Sequence, residues 1–85
     1  MISIEDCIAL SGLSREEVDA IGEHEHIPEA AASALASYLL NRPEGVHDIR
    51  EMIVDDIRSA RAKGHHKHAA ELFAALRHFL DTHPA

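Results

Sequence analysis

Nine of the eleven residues from Ala30 to Leu40 are apolar, and only Ser33 and Ser37 interrupt the run. Wound into a helix, such a run is apolar around most of its circumference, and a helix of that kind has to be covered by its neighbours. It falls short of the roughly 20 residues that a bilayer demands. In a chain of 85 residues the cover must come from the rest of one domain, residues 1–85. Pro28 suits the first position of this segment and Pro43 lies past its end. The sequence therefore predicts a central helix starting at Pro28 and ending before Pro43, its alanines letting other helices come close.

The flanking segments read as helices too. The chain has one Thr, and its Val and Ile recur at helical rather than alternating spacing. Ser3 with Asp6 forms a loose capping box, with Ile2 and Cys7 as a hydrophobic staple, and starts a first helix that runs to about Leu10. Ser11-Gly12-Leu13 breaks it. Ser14 with Glu17 is a cleaner box, flanked by Leu13 and Val18, so a second helix starts at Arg15. Gly22 either ends that helix as a left-handed cap or is passed at a cost of about 1 kcal/mol. Continuation to about Glu25 is favoured, because Ile27-Pro28 then supplies both the stop and the next start. A fourth helix is expected from near Pro43 to about Lys63, with Val46, Ile49, Ile53, Ile57 and Ala60 inward and Asp48, Glu51, Asp55 and Arg58 toward water. Gly64 ends it. A fifth runs from about His65 to Thr82, with Ala69, Leu72, Phe73, Leu76, Phe79 and Leu80 inward. The fold class is thus all-α, a bundle of about five helices closed by a C-terminal antiparallel hairpin.

Charge narrows the partners. Fifteen Asp and Glu against eight Lys and Arg give −7, with eight His uncounted. Residues 1–41 hold eight acids and one base, and residues 42–85 hold seven of each. One end of the molecule should be acidic, and Arg61-Ala62-Lys63-Gly64-His65-His66-Lys67-His68 should be its counterpart. The general reading is a solvated surface, and the sharper one is steering of a partner or head-to-tail self-association. Nucleic acid is disfavoured, because phosphate binding needs a basic face. Cys7, the one cysteine, allows neither an internal disulfide nor a Cys-based zinc site. The first residues lack the basic start of a secretory signal, so the expected compartment is the cytoplasm.

Five constellations bear on chemistry. The segment from Ile4 to Ile21 has the helix-turn-helix pattern with Gly12 in the turn, but Glu16, Glu17 and Asp19 on the second helix would repel phosphates, so a packing corner is expected. Glu23-His24-Glu25-His26 contains Glu-x-x-His, and His65-His66-Lys67-His68 contains His-x-x-His. That spacing puts two ligands on one helix face. Glu23, His26, His65 and His68 are therefore candidate ligands for zinc or nickel, against the simpler reading of exposed helix-end histidines. Cys7 near a helix start has thiolate-favouring geometry, but its acidic neighbours Glu5 and Asp6 point instead to a small buried apolar residue. No phosphate loop, nucleophile elbow or convergent acid pair is present, so no catalytic residue is assigned. The stripe Phe73, Leu76, Phe79 and Leu80 reads as core before it reads as a partner site.

The runs Ile4-Glu5-Asp6-Cys7-Ile8-Ala9-Leu10, Gly12-Leu13, Glu16-Glu17-Val18 and Glu23-His24-Glu25-His26-Ile27-Pro28-Glu29, with Ala75-Leu76-Arg77-His78-Phe79-Leu80, resemble short uncharacterised proteobacterial proteins. The resemblance implies a bacterial cytoplasmic setting and carries no cofactor or site. Taken together, the residues predict a non-enzymatic interaction or regulatory module without a cofactor, whose partner is a protein or a second copy of itself. The alternative is a transition-metal-binding protein.

Overall fold

Two serines set where the first helices begin. In the computed structural model, which describes residues 3–84, Ser3 Oγ accepts the Asp6 N–H at 3.1 Å and Asp6 Oδ2 accepts the Ser3 N–H at 3.4 Å. This box opens α1 (Ile4–Ser11), which ends on Gly12 in the left-handed region. The staple partner expected at Ile2 lies outside the described residues. Ser14 and Glu17 make the same reciprocal pair at 3.3 and 2.9 Å and open α2 (Arg15–Glu25). Leu13 and Val18, on either side of that box, are both buried.

Helix α2 passes through Gly22, as expected. A Cβ there would lie 3.0 Å from the Ile27 carbonyl oxygen and 3.5 Å from Ala32 Cβ. The Gly22 carbonyl accepts the N–H groups of both His26 and Ile27, so the chain turns sharply at the helix end. His26 closes the helix in a left-handed conformation, with φ 57°. The glycine is thus kept for the close approach of α2 to the next helix, which outweighs its poor propensity.

Helix α3 (Glu29–Leu40) is capped by Pro28. Ala32, Ser33, Ala36 and Leu39 are buried, but Ala30, Ala31, Ala34 and Tyr38 are exposed. The expectation of a helix covered all round is corrected here. Helices α1, α2 and α4 pack along its inner side, and α5 packs against α4 and α2. One apolar face of α3 is left open. The buried Ser33 is satisfied by donating to the Glu29 carbonyl at 2.9 Å.

The longest helices, α4 (Gly45–Ala62) and α5 (His66–Thr82), are joined by a short turn and pack along each other as an antiparallel hairpin. Ile49, Ile53 and Ala60 meet Leu72, Ala69 and Phe79 in a core completed by Val18 and Ile21. Phe73, expected inward, is 58% exposed. The inward stripe of α5 is Leu72, Ala75 and Phe79, three and four residues apart, and Phe73 stands about 100° off it. No strand occurs among the described residues.

Glu17 ties this frame together. It is wholly buried, its Oε1 holds the Ser14 N–H, and its Oε2 lies 2.7 Å from His78 Nδ1 on α5. The hydrogen bond to Glu17 holds the His78 pKa above its ordinary value. Glu17→Ala removes the cap acceptor, which alone is worth about 1 kcal/mol, and releases α5 from α2. A urea denaturation series should show the unfolding free energy falling by at least that much, with a correspondingly lower midpoint. An unchanged midpoint would mean that water replaces both contacts.

Candidate functional site

The ends of three helices enclose a cleft of about 410 Å³. Glu23, His24 and His26 come from the end of α2, and Asp55, Asp56 and Lys63 come from the last two turns of α4 and its cap. His65 and His68 come from the start of α5. All four ligands predicted from the sequence, Glu23, His26, His65 and His68, thus line one cleft. Only two of them touch. His68 Nε2 lies 2.5 Å from Glu23 Oε1, while His26 is the exposed cap of α2 and His65 the exposed cap of α5.

A second pair crosses the cleft from α2 to α4. His24 Nε2 lies 3.3 Å from Asp55 Oδ2, and His24 Nδ1 lies 2.7 Å from Glu25 Oε2. Burial pulls the His24 imidazole down, but the hydrogen bonds to Glu25 and Asp55 outweigh it, and its pKa ends above the ordinary value. The acidic half and the histidine segment therefore meet within one chain, which removes the electrostatic motive for head-to-tail association.

Asp56 forms the base of the site and was not singled out from the sequence. It is 6% exposed, and among the described residues its Oδ2 has no hydrogen-bond partner. Burial, and then the charge of Glu23, push its carboxyl up to about 7, with Asp55 adding and His24 and His68 opposing. A signal for it was present. Asp56 lies three residues after Ile53 and four before Ala60, in register with the inward stripe of α4. A carboxylate in that register has to be buried or twist out of the seam. As the side chains stand, no three His, Cys, Asp or Glu among the described residues converge closely enough to hold an ion.

The opposite side of the molecule carries a different candidate. Helices α1 and α3 border a shallow groove of about 200 Å³ lined by Cys7, Leu10, Ala30, Ser33, Ala34 and Ser37. Leu10 is 75% exposed and Tyr38 59%. Cys7, expected to be buried, is only half-buried and lines this groove beside Leu10. On the helix-turn-helix segment, α2 turns Glu16, Asp19 and Glu23 to the surface, while Arg15 is held by Glu29 at 2.6 Å and Glu5 at 3.6 Å.

Compared with known protein families, curated proteins and solved structures, the chain matches none of them. No helix among the described residues is long and apolar enough to cross a membrane.

Proposed function

We propose that this protein is a non-enzymatic helical interaction module that works by self-association, with the α1–α3 face as the contact between two copies. The observation that carries this reading is the open side of α3. From Ala30 to Leu40 the helix bears no charge, and its outer positions are Ala30, Ala31, Ala34 and Tyr38. Two copies of a chain with charge −7 repel one another over most orientations. They approach at lowest cost through a neutral face. Alanines at the contact let two helix axes come within about 8 Å, and a two-fold arrangement lets the same patch serve both partners. Leu10 on α1 supplies the largest apolar group on this side, and Tyr38, with Arg42 stacked 5.5 Å from its ring centre, borders it. A small domain gains the buried area it lacks by such pairing.

Sedimentation or light scattering from micromolar to millimolar concentration tests the proposal. The expected result is a concentration-dependent dimer that Leu10→Glu holds as a monomer. Leu10 is exposed, so the variant should keep the parent circular dichroism spectrum. A parent protein that stays monomeric over the whole range overturns the reading.

A further inference from the structure

We propose that the cleft between α2, α4 and α5 is a binding site for a divalent transition-metal ion of the zinc or nickel class, built on Asp56 with the pairs His24–Asp55 and Glu23–His68. This site is independent of the self-association face.

The first observation is the unpartnered carboxylate oxygen of Asp56, buried beneath the lining of the cleft. A buried acceptor without a partner costs about 1–3 kcal/mol. Asp56 is 6% exposed and none of its described neighbours satisfies Oδ2. Asp56 lines the cleft, and a cation bound there supplies the missing partner once the carboxylate turns toward it.

The second observation is the form of the two pairs. Each is a carboxylate and an imidazole sharing one proton, and both members are metal-ligand groups once that proton leaves. At metal–ligand distances of about 2.0–2.1 Å, the 90–120° angles around a five-coordinate ion set an imidazole nitrogen and a carboxylate oxygen about 2.9–3.6 Å apart. His24 Nε2 and Asp55 Oδ2 already stand 3.3 Å apart. His68 Nε2 and Glu23 Oε1, at 2.5 Å, need to open by less than an ångström. The ion takes the place of the proton in each pair, and both protons pass to water. Outer contacts are also in place. The second ring nitrogen of His24 faces Glu25 at 2.7 Å, and that of His68 faces Glu71 at 3.8 Å, the carboxylate–imidazole arrangement that orients metal-bound histidines.

The lining selects the class of ligand. Mixed imidazole and carboxylate donors suit zinc and nickel, whereas magnesium and calcium favour oxygen alone. No Phe, Tyr or Trp lines the cleft to hold an organic cation, and the Lys63 ammonium, which opposes any cation, is outnumbered there by the carboxylates of Glu23, Asp55 and Asp56. Because no three donors yet converge, binding must draw the two pairs together around Asp56. The cleft is much larger than an ion, and its remaining volume holds water at about 30 Å³ per molecule.

The test uses the full chain without a histidine tag, stripped with chelator and titrated with zinc or nickel chloride by calorimetry and thermal melting. One ion per chain is expected, with a melting temperature raised by several degrees and no effect of magnesium. Asp56→Asn and His24→Gln should each weaken binding roughly ten-fold or more, while the double variant His47→Ala with His66→Ala, two exposed histidines outside the cleft, should retain it. Amide chemical-shift changes should be confined to the ends of α2 and α4 and the start of α5, which gives a readout independent of stability. No binding in the parent overturns the proposal. So does equal binding of magnesium, or binding lost in the His47/His66 variant and kept in the Asp56 and His24 variants.

Discussion

Gly45→Ala is expected to destabilise the fold by about 3 kcal/mol or more, a large share of the roughly 5–10 kcal/mol available to a small domain. A Cβ at Gly45 would lie 1.5 Å from the Leu39 carbonyl oxygen and 2.3 Å from its carbon. These are backbone atoms, so no side-chain rotation relieves the clash. The α3–α4 corner has to open, and Leu39 and Ile49, both in the core, have to move with it. Helix propensity points the other way, since alanine gains up to about 1 kcal/mol over glycine inside a helix. The clash decides the sign. Gly22→Ala provides the comparison, because its Cβ would meet the Ile27 oxygen at 3.0 Å and a shift of a few tenths of an ångström relieves it. Urea unfolding should rank Gly45→Ala far below Gly22→Ala. Equal midpoints would show that the corner yields freely.

Asp56→Asn should raise stability at pH 8 and change little at pH 4. The Asp56 carboxyl is pushed up to about 7, above its unfolded value of 3.8. The folded chain therefore holds this proton over a window in which the unfolded chain has lost it. Stability falls as pH rises through that window. At about 1.4 kcal/mol per pKa unit the loss is on the order of 2–4 kcal/mol by pH 8. The charges facing Asp56 are Glu23 and His24 on α2, Asp55 beside it and His68 on α5. His24 and His78 act in the same direction. Their folded pKa values are raised, so their contributions are present below the unfolded histidine value and fade as pH climbs through the folded one. Asparagine removes the Asp56 part. In the presence of chelator, the melting temperature of the variant at pH 8 should exceed the parent's by roughly 10 °C or more, and the two should converge at pH 4. A variant no more stable than the parent at pH 8 would mean that the carboxylate is solvated in the native state.

Local signals carried far in this chain. Ser3 with Asp6 and Ser14 with Glu17 announce their helices because a capping box is a property of four consecutive residues. The same holds for Gly64 as the turn of the hairpin and for the inward row Ile49, Ile53 and Ala60. What escaped depends on what each helix meets. Alanine is as compatible with water as with a neighbour, so Ala30, Ala31 and Ala34 do not reveal that one side of α3 lacks cover. Phe73 was drawn inward by its hydrophobicity, although Leu72, Ala75 and Phe79 already define the seam. At the cleft, sequence spacing found Glu23 and His68 because the histidine clusters stand out. His24, Asp55 and Asp56 belong to the same place only because α2 ends beside the last turns of α4, a relation between segments some thirty residues apart. Asp56 broke the apolar pattern of its stripe, and polar residues at inward positions are where function is to be sought.

One carboxylate couples the second helix to the last. Glu17 holds the first turn of α2 with one oxygen and the His78 side chain with the other. During synthesis, α2 leaves the ribosome long before His78 exists, and its buried acid then has half of its partners. The nascent bundle is completed only when the final segment swings in, so a chain arrested short of α5 should expose a frayed second helix to proteases rather than a finished four-helix core.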